Sequence, residues 1–303
     1  MMQQRKLGNT GLSVSCLGFG AASLWGMPFF EERSAQEVLL AALAAGINYI
    51  DTGPTYSRGN AEPRLARVLG QCSVRRDLVI STKAGTRVGR YGRLVKDFSP
   101  AWVRQSVEES LSRLHLDHLP LLLLHGPRID DLNDDLLRLL DTLKQDGEIG
   151  HVGINSFDPD VLARLPAFPT IEVAMLDYNL LRLEREALIA DLSAAGIGIL
   201  AGEPLAQHVF TGRPLRLRGL RDLWYLARAL RYRPQDLALR QRYAFMREHP
   251  LYTPAQLALA FVVSNPGVST AVFSTTRMAH LLQNLLAADM TLPLEVGHAI
   301  RNV

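Results

Sequence analysis

The feature that most constrains this chain is a strict alternation, repeated eight times, of a short apolar segment with a stretch of helical periodicity. The apolar segments are Cys16 to Gly20, Asn48 to Ile50, Leu78 to Thr82, Leu119 to Leu124, Val152 to Ile154, Ile171 to Leu176, Ile197 to Ala201 and Thr270 to Phe273. Leu119 to Leu124 is nearly all leucine, as a strand buried on both faces requires. Between the segments the pattern predicts helices. Ser34 is placed to cap Ala35 to Ala45, and a helix from Ala61 to Leu69 follows the second segment. Ser99-Pro100 has the cap and first-turn chemistry of a helix running to Leu114. Leu132 to Gln145 stops at Gly147, Pro159 to Leu165 follows the fifth segment, and Glu184 to Ala195 is closed by Gly196. The last two are Pro254 to Val263 and Met278 to Ala288. Strict β-α alternation, with no linker or low-complexity stretch, predicts one domain over residues 1–303, an α/β fold of the (β/α)8 TIM-barrel class. The chain length of 303 residues suits such a barrel, which needs ~250 residues plus insertions. Two additions are expected: an N-terminal β-hairpin from Arg5 to Ser15, and a helical insertion after strand seven.

An open doubly wound sheet is the competing architecture, and its signal would be a complete G-x-G-x-x-G after the first strand. Gly18-Phe19-Gly20-Ala21-Ala22-Ser23 supplies two glycines and then a serine, with no acidic residue closing a second strand at the usual distance. That architecture is rejected. No apolar run reaches the ~18 residues of a membrane span, and the polar start, Met1 to Lys6, leads into no secretory segment. The expectation is a cytoplasmic protein that is not membrane-bound. The two cysteines, Cys16 and Cys72, form no metal or disulfide pattern, and no metal site is expected.

A net charge of +3 does not argue for nucleic acid. Ten arginines lie between Arg213 and Arg247, interleaved with aromatic residues. With no RNP or helix-turn-helix pattern beside them, they predict a solvated amphipathic insertion rather than an RNA surface. Four lysines stand against 29 arginines, which draws attention to Lys83 inside an apolar strand.

In a barrel the residues at the C-terminal ends of the strands converge on one mouth. Asp51 and Tyr56 follow the second strand, Lys83 the third and His125 the fourth. The chemistry this set suits is proton transfer at a carbonyl oxygen. A phenol with its ordinary pKa near 10 donates but is a poor base at neutral pH. Bringing it toward neutrality takes about 3–4 kcal/mol of differential stabilisation of the phenolate. A buried ammonium supplies this, and a carboxylate holds the ammonium charged and in place. A histidine beside them orients the substrate oxygen. None of the four is a hydride donor, so a cofactor must bring the electrons.

The chain resembles the aldo-keto reductases along nearly its whole length. The resemblance is carried by Arg5 to Ser15, Asp51-Thr52-Gly53-Pro54-Thr55-Tyr56, Ser81-Thr82-Lys83, Leu123-Leu124-His125-Gly126-Pro127 and Gly147 to Phe157. It implies a catalytic tetrad of Asp51, Tyr56, Lys83 and His125, with Tyr56 as general acid/base. It also implies NADP(H), bound extended across the barrel mouth without a Rossmann fold. Where the family has Ser-Asn to hold the carboxamide, this chain has Asn155-Ser156. The family's strand-six glutamine falls on Met175, and the tyrosine that often stacks under the nicotinamide falls on Gly202. Pro204, Leu205 and Gln207 lie where pyrophosphate contacts are expected. Ser274, Thr275, Thr276 and Arg277 precede a helix, a site for an anion, where Arg277 favours the 2′-phosphate of NADP. His280 replaces a frequent arginine, which leaves NAD(H) possible. Gln283 and Asn284 occupy adenine-side positions. Leu24, Trp25 and the loop from Arg87 to Arg93 are substrate-side candidates, and Gly126, where many members carry tryptophan, predicts an open pocket.

Three readings follow. The first is an NADP(H)-dependent oxidoreductase acting on an aldehyde, a ketone or a sugar-type alcohol, with an NAD-dependent aldose dehydrogenase as its variant. The second is a nicotinamide-binding regulatory subunit resembling potassium-channel β-subunits. The third, a metal-dependent hydrolase, lacks the His-x-His such barrels carry after strand one. The expected partner is a small carbonyl or alcohol substrate; substrate identity and oligomeric state are not legible.

Overall fold

The structure, a computed structural model, describes residues 2–70, 77–206 and 242–302. Its barrel strands are β3 (Leu17–Gly20), β4 (Tyr49–Asp51), β5 (Val79–Ala84), β8 (Leu119–His125), β9 (Ile149–Asn155), β10 (Val173–Asp177), β11 (Gly198–Gly202) and β12 (Thr270–Phe273). They close in that circular order, every neighbouring pair parallel. The eight-stranded barrel is the fold the alternation predicts. The expected insertion after strand seven falls largely on 207–241, outside the described residues, as do Cys72 and Gln207.

Two apolar layers hold the barrel. Residues alternate in and out along each strand, so one set fills the interior: Tyr49, Val79, Leu121, Leu123, Val173, Met175 and Leu200. The other set, with Ile50, Ile80, Leu122, Leu124, Val152 and Ile199 among it, packs under the surrounding helices. The N-terminal hairpin, β1 (Gln4–Lys6) and β2 (Ser13–Ser15), is antiparallel and plugs the floor. Its Leu7 and Val14 are fully buried in the interior layer. Gly8 makes that approach possible. It sits at φ +54°, and a Cβ there would lie 2.3 Å from the Gly198 nitrogen.

Helix Pro100–Leu114 starts on the Ser99 cap as expected, and Ala61–Leu69 matches residue for residue. The helix expected behind Ser34 instead spans Glu32–Ala44, and Ser34 does not cap it; its hydroxyl donates to the Glu31 carboxylate at 2.8 Å. Two further elements were not anticipated. One is the hairpin of β6 (Thr86–Val88) and β7 (Leu94–Lys96), whose strands are largely exposed. The other is the helix Leu294–Arg301. Strands β5 and β8 also run on past their apolar runs to Ala84 and His125. The ladder continues there because their polar side chains face the barrel mouth, not solvent.

Candidate active site

The last inward positions of β4 and β5 bring four polar groups together. Lys83 Nζ is buried and donates to both oxygens of Asp51, at 2.6 and 2.8 Å, and to the Thr52 carbonyl at 2.9 Å. The Ser81 hydroxyl donates to Asp51 Oδ1 at 2.7 Å and lies 2.8 Å from the Tyr49 hydroxyl. Tyr49 and Asp51, and Ser81 and Lys83, are two residues apart on adjoining strands, so strand periodicity puts all four on one wall. Ser81 and Tyr49 were missed from sequence, although that period-two spacing was the signal for them.

Tyr56 arrives over the top of this wall. The turn Gly53–Tyr56 is closed by the Tyr56 N–H donating to the Gly53 carbonyl at 3.1 Å. The ring folds back on Gly53, where a Cβ would press on it at 3.3 Å. Lys83 Nζ then sits 4.6 Å from the Tyr56 ring centroid, and the His125 ring meets Tyr56 edge-on at 6.0 Å. The two residues after Tyr56, Ser57 and Arg58, are left-handed at φ 55° and 60°, a strain of the kind that clusters at functional sites. The neighbouring loop restrains them: Ser57 Oγ donates to the Ser23 carbonyl and Asn60 Nδ2 to the Gly26 carbonyl.

The electrostatics differ from the expectation in one respect. Burial would lower the Lys83 pKa, but the Asp51 carboxylate holds it above its ordinary value, so this group is an ammonium. Tyr56 is raised, not lowered: burial outweighs the pull of Lys83, and Asp51 adds to the rise. Because Lys83 is already paired, its positive charge is largely cancelled at the phenol. The phenol is therefore protonated in the free protein.

His125 is pushed down to about 3 by burial and by the positive charges of Lys83 and Lys96, so its ring is neutral at pH 7. This has a consequence for stability. The unfolded histidine takes up a proton near pH 6.5 and the folded one does not, so the unfolded state binds more protons below that pH. The contribution is fully present above pH 6.5 and declines as pH falls toward 3, by at most about 1.4 kcal/mol per pH unit. Urea unfolding at pH 7 and pH 5 is expected to show a smaller drop in His125→Asn than in the wild type; equal drops would refute this.

A scan with the model of the Aldo/keto reductase family matches residues 16–303. The chain belongs to the aldo/keto reductase family. Members of this family are oxidoreductases of carbonyl and alcohol groups and use nicotinamide cofactors. The oxidoreductase YqkF of Bacillus subtilis is 29% identical over 95% of this chain and 92% of its own. L-galactose dehydrogenase of Arabidopsis thaliana is 34% identical over 69% of this chain and 67% of its own. Among solved structures, the holo form of the aldo-keto reductase AKR11C1 from Bacillus halodurans superposes with a TM-score of 0.83 at 28% identity, covering 100% of this chain and 96% of that one.

The residues expected to hold the cofactor of this aldo/keto reductase lie around the same mouth. Asn155 ends β9 in register with His125 and Met175, and its side-chain amide makes no hydrogen bond among the described residues. Ser156 is buried, and its hydroxyl accepts from the Asp158 N–H. Met175 is buried in the barrel interior beside Gly202, where a Cβ would meet the Leu176 carbonyl at 3.3 Å. Pro204 is buried and Leu205 half-buried at the turn after β11. Ser274 donates to the Ala22 carbonyl, and Thr275 Oγ1 accepts from the Arg277 N–H, shaping the turn into helix Met278–Leu285. Thr276 is half-buried there, Arg277 and Gln283 are exposed, His280 is half-buried and Asn284 is buried.

On the substrate side, Leu24 is half-buried but Trp25 is a correction. The indole is fully enclosed in the core, edge-on to Phe19 at 5.8 Å, with its N–H donating to the Ala35 carbonyl at 2.9 Å. Its size and apolarity are used to anchor the loop, not to line the pocket. Gly126 is left-handed at φ +66°, so a tryptophan there would be strained as well as obstructive. Sequence reasoning also missed Asp177, the buried last residue of β10, which is paired with Arg185 at 3.0 Å and Arg182 at 3.3 Å.

Proposed function

We propose that this aldo/keto reductase is an NADP(H)-dependent oxidoreductase that interconverts an aldehyde or ketone with its alcohol, with Tyr56 as general acid/base. The observation that carries the reading is the buried Lys83 ammonium, locked to Asp51 and lying under the Tyr56 ring, with His125 facing that ring. A neutral phenol in a buried pocket is matched to giving a proton to an oxygen that is gaining negative charge. Lys83 stabilises the phenolate left behind, Asp51 keeps Lys83 charged and in place, and neutral His125 orients the oxygen. In the oxidative direction the same groups run in reverse, with the phenolate as base.

When bound, the nicotinamide supplies or accepts the hydride, which none of these side chains can do. The chain's own groups fit such a cofactor. Asn155 offers a carboxamide partner that no group among the described residues engages, and Met175 beside Gly202 offers an apolar surface. The first-turn N–H groups of helix Met278–Leu285 have no side-chain cap, and Arg277 beside them suits a 2′-phosphate. The substrate class is a small carbonyl compound or sugar-type alcohol, supported by the sugar named in the Arabidopsis relative; the space expected to be open at Gly126 is taken by Lys96, whose Nζ would lie 3.2 Å from a Cβ there.

The test is fluorescence titration with NADPH and NADH, followed by an aldehyde and aldose panel. NADPH is expected to bind more tightly, and Arg277→Ala to weaken NADPH by about 10-fold while changing NADH little. Equal loss for both cofactors would refute the role of Arg277. Tight cofactor binding with no turnover across the panel would refute the enzymatic reading.

A further inference from the structure

The hairpin β6–β7 delivers two polar groups to the rear of the His125 ring. The Thr86 hydroxyl, on a residue 4% exposed, lies 3.2 Å from His125 Nδ1. Lys96 Nζ donates to that hydroxyl at 3.1 Å and also to the His125 carbonyl. Gly126 leaves the space for this approach, since a Cβ there would lie 3.2 Å from Lys96 Nζ. Among the described residues the Thr86 hydroxyl has no other partner than these two.

The donors and acceptors can be assigned from their chemistry. An ammonium has only donors, so Thr86 Oγ1 accepts from Lys96. The hydroxyl proton then needs an acceptor, and His125 Nδ1 is the one within reach. A neutral imidazole that accepts at Nδ1 carries its proton on Nε2. The opposite tautomer would aim Nδ1–H at an oxygen already polarised by a cation and would leave the hydroxyl proton without an acceptor. The other charged and titratable groups near the ring, Lys83 with its partner Asp51 and the Tyr56 phenol, make no hydrogen bond to Nδ1.

We propose that Lys96 and Thr86 are positioning residues that hold His125 in its Nε2–H tautomer, so that Nε2–H and the Tyr56 hydroxyl both donate to one substrate oxygen. The proposal rests on the reading of His125 as the group that orients substrate. It adds a preference: a carbonyl oxygen accepts from two donors, whereas the other tautomer would present a lone pair, repel that oxygen and favour an alcohol hydroxyl. The relay lies outside the four strand-end residues and comes from the hairpin that sequence periodicity did not reveal.

The experiment is 15N NMR of the histidine rings in the protein without substrate, with His125 assigned by its loss in His125→Asn. The wild type is expected to show Nε2 protonated and Nδ1 as acceptor. Thr86→Val, which keeps the shape, and Lys96→Met, which keeps the length, are expected to raise the Nδ1–H population. Their kcat for aldehyde reduction is expected to fall by about 10-fold to 100-fold with the NADPH Kd unchanged, the size typical of a misplaced donor. Thr86→Ser is expected to restore both tautomer and rate. An Nδ1–H ring in the wild type, or an unshifted tautomer in both variants, would overturn the proposal. Because the tautomer is read without turnover, a wild-type protein that reduces no aldehyde would count against the function while the tautomer result still decides the relay.

Discussion

Tyr56→Phe is expected to lower kcat/KM for aldehyde reduction by about 10²–10⁴-fold while the NADPH Kd stays within about threefold. The substitution removes one oxygen and keeps the ring that rests on Gly53, faces His125 and covers Lys83. The loss is that of a proton donor, so it falls on the chemical step rather than on cofactor binding. The rise in the Tyr56 pKa, caused by burial and only partly offset by Lys83, sharpens the expectation. Reduction should hold its rate through neutral pH because the acid stays protonated there, and oxidation should climb with pH as phenolate forms. Steady-state rates in both directions across pH, with a cofactor titration of the variant, check this. Turnover at the wild-type level in Tyr56→Phe would remove the phenol from the mechanism.

Lys83→Met is the second large effect, and it acts on stability as well as on activity. Lys83 is 1% exposed and Asp51 6% exposed. Removing the ammonium leaves a buried carboxylate whose remaining side-chain partner is the Ser81 hydroxyl. Breaking a buried pair from one side typically costs about 3–5 kcal/mol. The double variant Asp51→Asn/Lys83→Met removes the stranded charge and is expected to recover most of that stability while remaining inactive. Urea midpoints and kcat/KM for both single variants and the double close the cycle. A coupling below about 1 kcal/mol would mean that the pair is not the buried unit its geometry describes, and recovered activity in the double variant would remove the pair from catalysis.

Much of this molecule could be read along the chain because the relevant signals are local. Leucine-rich runs, helix caps such as Ser99-Pro100, and glycines at helix ends are set by backbone chemistry within a few residues. A barrel then follows from their alternation, since parallel strands need helical crossovers. Asp51, Lys83 and His125 were legible for a related reason: each is a polar residue ending an apolar strand, where convergence is a property of the fold class. Resemblance to the aldo/keto reductases assigned them roles, and the geometry is consistent with those roles.

What local signals could not decide was direction and partnership. Trp25 has the composition of a pocket wall but points into the core, where Phe19 and the Ala35 carbonyl, six and ten residues away along the chain, meet its ring. The sign of the Tyr56 shift depends on how far burial exceeds the pull of an ammonium already paired with Asp51, and neither quantity exists before the chain closes. Thr86 and Lys96 sit in a hairpin whose two three-residue strands are too short to show a period, and only the folded chain sets them beside His125. By itself the sequence determined the barrel, its strand order and the chemical types at the mouth, since these follow from short-range patterning. The tertiary structure decided which atom donates to which, because hydrogen-bond direction and desolvation depend on distances between residues that meet only when the barrel closes.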